Sequence, residues 1–340
     1  MGFDAEFMDN HITANFDWYQ KTTKDWLVIA PVLATAGTDA PYINGGSVIN
    51  TGIELALGYR NMLGALRYTL NVNGAYNQNE VQEVPPDDAI IHGAGHTLSN
   101  NSPEFYRAQT GFPIGYFWGY QTDGLFQNGD QVQQYTSADG TIIQPGAAPG
   151  DVRYVDQNQD GKISEDDKIE LGSPNPDFVY GLSLSLQYKA FDFYLNANGV
   201  AGNQIVQSYR NHSDKYANYT TAILDRWNGE GTSNTIPRVT NSNINYTKFS
   251  DLFVQDGDYL RLSNLTLGFD LNSLIGAQAL NKLRVYASVQ NLYTFTQYTG
   301  MDPEIGFGFD NGETDRFSSG IDLGYYPRPR TMLFGLNINF

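Results

Sequence analysis

The ten residues Thr331-Met-Leu-Phe-Gly-Leu-Asn-Ile-Asn-Phe340 decide the fold class of this chain. Met332, Phe334, Leu336, Ile338 and Phe340 share one parity; Thr331, Leu333, Gly335, Asn337 and Asn339 share the other. Successive side chains of a strand point to opposite faces, so this is a strand with one apolar side. A soluble protein rarely ends on an exposed apolar strand, because an open edge invites pairing with other chains. A strand inside a closed sheet with its apolar face on lipid has neither problem. Phe340, the terminal aromatic, reads as a barrel-assembly signal.

The same alternation recurs upstream. Phe3, Ala5 and Phe7 turn at Asp9-Asn10 into Ile12, Ala14, Phe16 and Trp18. Ile53, Leu55, Leu57 and Tyr59 turn at Asn61-Met62 into Leu66, Tyr68, Leu70, Val72 and Tyr76. Phe178 to Tyr188 and Phe191 to Ala197 form another pair. Leu260 and Leu262 change parity to Leu265, Leu267 and Phe269, as a β-bulge near Ser263-Asn264 would produce. Leu283, Val285, Ala287, Val289, Tyr293 and Phe295 precede the closing strand. About nine spanning strands result, each near the roughly 9–11 residues that cross a bilayer at a tilt. Short turns alternate with long loops, and the second face is polar throughout. The expected fold is all-β: part of an antiparallel transmembrane β-barrel, with short turns on the periplasmic side and long loops outside.

Composition agrees. Tyr (23), Phe (19) and Gly (35) are abundant and helix formers few, which favours β structure with long loops. A mean hydropathy of -0.40 argues against a helical membrane protein but not a barrel, where only alternate residues need be apolar. The net charge of -17 disfavours nucleic acid. There is no cysteine, hence no disulfide framework and no thiolate chemistry. No nucleophile elbow or phosphate loop appears, and scattered acidic pairs in an acidic chain are no glycosidase signal. No enzymatic activity is expected.

Three stretches resemble the SusC/RagA-type TonB-dependent outer-membrane transporters of Bacteroidetes-like bacteria. They are Thr110 to Gln127, Val254 to Gly268 continuing through Leu283–Thr296 and Tyr298–Glu304, and Tyr326-Pro-Arg-Pro-Arg-Thr331 with the terminal strand. The resemblance implies a barrel of about 22 strands with a lumen plug. It also implies energy coupling through TonB, a SusD-like surface lipoprotein acting as a lid, and oligosaccharide or peptide cargo. Residues 1–340 are then the C-terminal part of the barrel. The plug, the TonB contact and the N-terminal strands are expected in a missing N-terminal part, and residues 78–176 form a long extracellular loop region. The alternative is a secreted, calcium-stabilised β-rich binding or adhesion protein.

Two residue sets carry candidate chemistry. Asp156, Asn158, Asp160, Lys162 (through its carbonyl), Ser164 and Asp167 fit the 12-residue calcium-loop template, with Gly161 at the turn. Asp167 replaces the longer Glu, so bidentate closure is weakened. Bound Ca²⁺ is one reading, a structural one; a self-hydrogen-bonded Asx-rich turn is the other. The loop aromatics Tyr116, Phe117, Trp118, Tyr120 and Trp227 are read either as exposed stacking surfaces for sugar rings or a lid, or as loop packing.

Overall fold

The computed structural model describes residues 1–29, 37, 42–84, 89–95, 97–98, 102–210, 216–241, 244–276, 280–305 and 318–339. Phe340 lies outside the described residues, as does the assembly role expected of it.

Nine strands form one antiparallel sheet in sequence order. They are β1 (Gly2–Phe7), β2 (Ile12–Lys24), β3 (Ser47–Leu63), β4 (Leu66–Glu83), β5 (Phe178–Tyr188), β6 (Phe191–Ala201), β7 (Tyr259–Asp270), β8 (Lys282–Thr296) and β9 (Thr331–Asn339). Each pairs with its neighbour in the chain, so every connection is a hairpin. Four connections at one end are short: β1–β2, β3–β4, β5–β6 and β7–β8. The other four run to tens of residues. Among the described residues no helix is long and apolar enough to cross a membrane, which says nothing against crossing by strands.

The register carries one apolar face across all nine strands. One row runs Phe3, Phe16, Leu55, and the next Ala14, Leu57, Val72, Leu182, Ala197. On the far side the rows run Phe193, Leu267, Ala287, Phe334 and Phe191, Phe269, Val285, Leu336. Apart from the buried Ala197, these side chains are partly or fully open: Phe334 is 84% exposed and Leu267 55%. Aromatics mark both margins. Trp18, Tyr76, Phe178, Tyr293 and Phe295 lie towards the long loops; Phe7, Tyr59, Tyr68, Tyr188, Phe191 and Phe269 lie towards the short turns. That is the band and double girdle of a lipid-facing barrel wall.

The opposite face carries Asn15, Asn71, Asn73, Asn77, Asn196, Asn198 and Asn264, with Thr and Ser between them. Its charges are partly paired. Arg284 donates to both carboxylate oxygens of Asp192 at 2.8 and 2.5 Å, reaching across β7 where Gly268 leaves room. Three tyrosines lie over glycines directly opposite them: Tyr19 over Gly52, Tyr180 over Gly199 and Tyr286 over Gly335. At Gly335 a Cβ would sit 2.2 Å from the Tyr286 ring. These rings shield main chain that a glycine leaves bare.

Two expectations shift in detail. The β3–β4 turn falls at Gly64-Ala65 rather than Asn61-Met62, because Gly64 accepts a φ of +58° there. The bulge at Ser263 is present and is matched by Asn291, at φ +51°, on β8. Together they keep Leu262 and Tyr293 on the apolar face despite the parity change.

Candidate functional site

The long connections at one end of the sheet fold onto one another. The segment between β4 and β5 contains a four-stranded sheet in which Tyr116–Tyr120 pairs with both Tyr106–Gln109 and Lys168–Gly172. The β6–β7 and β8–β9 connections add Gln204–Gln207, Val254–Asp256 and Ile321–Asp322, joined as a three-stranded sheet. The shared core of Phe105, Tyr106, Phe117, Val206, Phe249, Phe253 and Ile321 draws on all three connections. A second cluster joins Tyr120, Leu125, Val152 and Tyr154, with Trp227 packed against it.

This corrects the exposed reading of the loop aromatics. Tyr116 and Phe117 are fully buried and Tyr120 is 3% exposed, because the strand is covered on both faces: Phe117 enters the shared core and Tyr120 the second cluster. Burial pushes the Tyr116 hydroxyl up to about 12 and raises that of Tyr120 further. Trp118, on the same face as Tyr116 and edge-on to its ring, is half-buried beneath the Arg107 guanidinium, 4.7 Å from its ring centroid. Trp227 is half-buried, stacks on the Gly150 main chain and donates Nε1 to Gln127 at 3.3 Å.

The Asp156–Asp167 loop is closed by its own hydrogen bonds. Gly161, at φ +86°, gives the sharp turn. Asp156 accepts from the main-chain N–H groups of Asp160 and Gly161 at 3.2 and 2.8 Å. Asn158 accepts from Asp160, and Asp160 from Lys162. Asp167, fully buried, accepts from Gln157 at 2.9 Å and Ser164 at 2.6 Å. Ser164 caps the three-residue 3₁₀ turn that ends the loop. Among the described residues, no three carboxylate or imidazole groups converge as a metal-holding cluster. Each carboxylate oxygen that accepts one N–H keeps a second lone pair, so the donor set is compatible with a cation but not assembled around one.

Sequence reasoning passed over a further node. Arg261 sits between the outward Leu260 and Leu262 and therefore points inward, 3% exposed. It donates to Asp302 at 2.5 Å, Glu304 at 3.0 Å and Thr294 at 3.0 Å. Arg328 closes the ring on Glu304 at 2.6 Å, and its main-chain N–H donates to Asp302. The cluster clamps the last long connection to β7 and β8. An arginine inside an apolar run was the available signal, since a buried charge of this kind requires partners.

A nine-stranded antiparallel wall, apolar on one face and polar on the other, with a folded body of loops at one end, is the wall of an outer-membrane β-barrel. The chain belongs to the TonB dependent receptor-like, beta-barrel family, whose family model matches residues 2–200. It is 32% identical to TonB-dependent receptor P3 of Formosa agariphila, over all of this chain and 33% of that protein. It is 27% identical to TonB-dependent receptor SusC of Bacteroides thetaiotaomicron, over all of this chain and 31% of that one. The solved RagAB peptide transporter superposes with a TM-score of 0.74 at 22% identity, over all of this chain and 34% of the solved one. The chain thus spans about a third of the length of the curated relatives it matches. The family is one of receptors and transporters of the outer membrane.

Proposed function

We propose that this chain supplies barrel wall and outer loops to a TonB-dependent importer in the outer membrane of a Bacteroidetes-like bacterium. The imported nutrient is an oligosaccharide or a peptide, and TonB is engaged by parts of the protein outside this chain. The loop body, foremost the connection between β4 and β5, faces the cell exterior and meets both cargo and a SusD-like lipoprotein lid. The carrying observation is the unbroken apolar face of nine registered strands, backed by an amide-rich face suited to a wet or plugged lumen. A soluble adhesion protein would cover that face with a second sheet. The likenesses to SusC and to the RagAB peptide transporter support import and, through the latter, a companion protein.

The test is deletion of the gene for the whole receptor, followed by growth on defined oligosaccharides or peptides and pull-down with the tagged receptor. Lost growth on one cargo class, restored by the gene, and a co-purifying surface lipoprotein are expected. Unimpaired growth on every source, or recovery of the protein in the aqueous phase after detergent partitioning, overturns the reading.

The loop at Asp156 is proposed to hold one Ca²⁺ as a structural brace. Its support is the ligand spacing and the Gly161 turn. Calorimetric titration of the purified receptor with Ca²⁺ should show one site that D156A together with D160A abolishes. No binding heat in the wild type would leave a purely hydrogen-bonded turn.

A further inference from the structure

The short turn between β5 and β6 carries a residue that its geometry does not favour. Tyr188 pairs directly with Phe191, so only Lys189 and Ala190 lie between the strands. Lys189 takes a φ of +51°, the left-handed region that glycine or asparagine fills in two-residue hairpins. Backbone strain of this kind gathers at binding sites. Among the described residues the Lys189 ammonium forms no hydrogen bond and no ion pair; it lies 5.4 Å from the centre of the Tyr188 ring. Two acids of the adjoining strands are engaged elsewhere. Asp192 is held on the polar face by Arg284. Asp270, whose N–H reaches the Ala190 carbonyl, accepts from the main-chain N–H groups of Asn272 and Leu283.

This free charge stands at the end of an uncharged, lipid-facing row. Leu66, Tyr188, Phe191, Phe269, Val285 and Leu336 are cross-strand neighbours in turn. Tyr188 is 49% exposed and Phe191 60%, and the Phe191 and Phe269 ring centroids are 4.6 Å apart. The row is continuous with the apolar face of the wall, and the lysine stem carries its ammonium to the margin of that face. A ligand matching this surface has an apolar part to lie along the rings and an anionic head to meet the lysine. A soluble anion meets the head alone, and one exposed ammonium holds it weakly. A zwitterionic lipid brings a cation of its own beside the phosphate. An anionic phospholipid supplies both parts without that competition.

We propose that the β5–β6 turn binds an anionic phospholipid of the periplasmic leaflet, with the phosphate on Lys189 and an acyl chain along Phe191 and Phe269. The site rests on the importer reading, which sets the wall in lipid and the short turns on the periplasmic side.

The experiment places the whole receptor in phosphatidylcholine vesicles that carry a minor share of brominated phosphatidylglycerol or of brominated phosphatidylcholine. L66W, one strand away from the turn, supplies the reporter: bromine on a neighbouring acyl chain quenches its fluorescence, read as the difference from receptor without it. Brominated phosphatidylglycerol is expected to occupy the rim with an affinity about fivefold above that of phosphatidylcholine, the contribution of one lysine beside an anionic headgroup. K189N removes the charge and leaves a residue suited to the turn, so it should equalise the two lipids, while K189R should keep the preference. Equal quenching by both lipids with Lys189 present, or a preference that K189N leaves intact, overturns the site. So does a preference erased by added inorganic phosphate, which would reassign Lys189 to a soluble anion. Failure of the reading beneath it looks different: if the wall does not face lipid, neither brominated lipid quenches and the site falls with it, whereas failure of import shows only in the growth of the deletion strain.

Discussion

Asp151 shows how the loop body holds a charge away from water. It is 1% exposed and accepts two bonds from Arg238, at 2.7 and 3.0 Å, one from Asn245 at 3.2 Å and one from the Ala148 N–H at 2.9 Å. The carboxylate in turn holds the Arg238 guanidinium above its ordinary range. Arg238→Met strips the strongest partner from a buried anion, and a broken buried pair costs about 3–5 kcal/mol. Arg238 is a third exposed, which places the loss near the lower figure. Asp151→Asn combined with Arg238→Met leaves no buried charge, so the double variant should lose less than the sum of the two single losses. A double-mutant cycle on denaturant unfolding of the loop body measures this, and simple additivity would refute the coupling. Neither residue is visible in sequence, for they stand 87 positions apart without a shared pattern. The Asp156–Asp167 loop was visible because its partners lie within one short segment.

Strands were the most legible elements, since a one-residue slip would carry every side chain to the wrong face. The alternation fixes both the identity and the register of β5 and β6, whose eleven residues pair without interruption. It underestimates β4, which continues to Glu83 past the apolar belt, because above the belt nothing requires the alternation to persist. The glycines beneath Tyr19, Tyr180 and Tyr286 were also hidden, as the shielding ring comes from the neighbouring strand. The two faces of β9 make opposite predictions. Phe334 lies mid-strand on the apolar face opposite Ala287, and Asn337 lies on the polar face opposite Arg284. Phe334→Arg should therefore cost about 2–4 kcal/mol, the range for a cation at the bilayer midplane. Asn337→Ser, on the wet side, should cost within about 0.5 kcal/mol. Refolding of the whole receptor into lipid vesicles at graded denaturant separates them, and equal losses would overturn the assignment of faces.

As a whole the molecule joins two materials. The sheet is held by main-chain ladders and needs lipid on one side; the loop body has an aqueous surface and a core rich in buried phenols. That core was illegible in the sequence because Phe105, Val206, Phe249 and Ile321 come from three separate connections with no common period. The two parts should separate at high pH. Burial pushes the hydroxyls of Tyr116 and Tyr246 up to about 12, and those of Tyr120, Tyr154 and Tyr298 higher, from an ordinary 10.0. At Tyr298 the Asp322 carboxylate, 2.5 Å away, adds to the effect. Below pH 10 these phenols are protonated whether folded or unfolded, so the loop body keeps its full stability. Above pH 10 the unfolded chain releases protons that the folded body retains, and linkage makes stability fall with each further step in pH. The loop body should thus open cooperatively between pH 10 and about 12, while the paired strands persist in detergent. Tyrosinate absorbance followed together with far-ultraviolet dichroism tests this. A late, steep rise in absorbance with strand signal retained is the expected result. Smooth titration of every tyrosine near pH 10, without loss of tertiary signal, would mean that the phenols are not sequestered and that the connections do not form a common core.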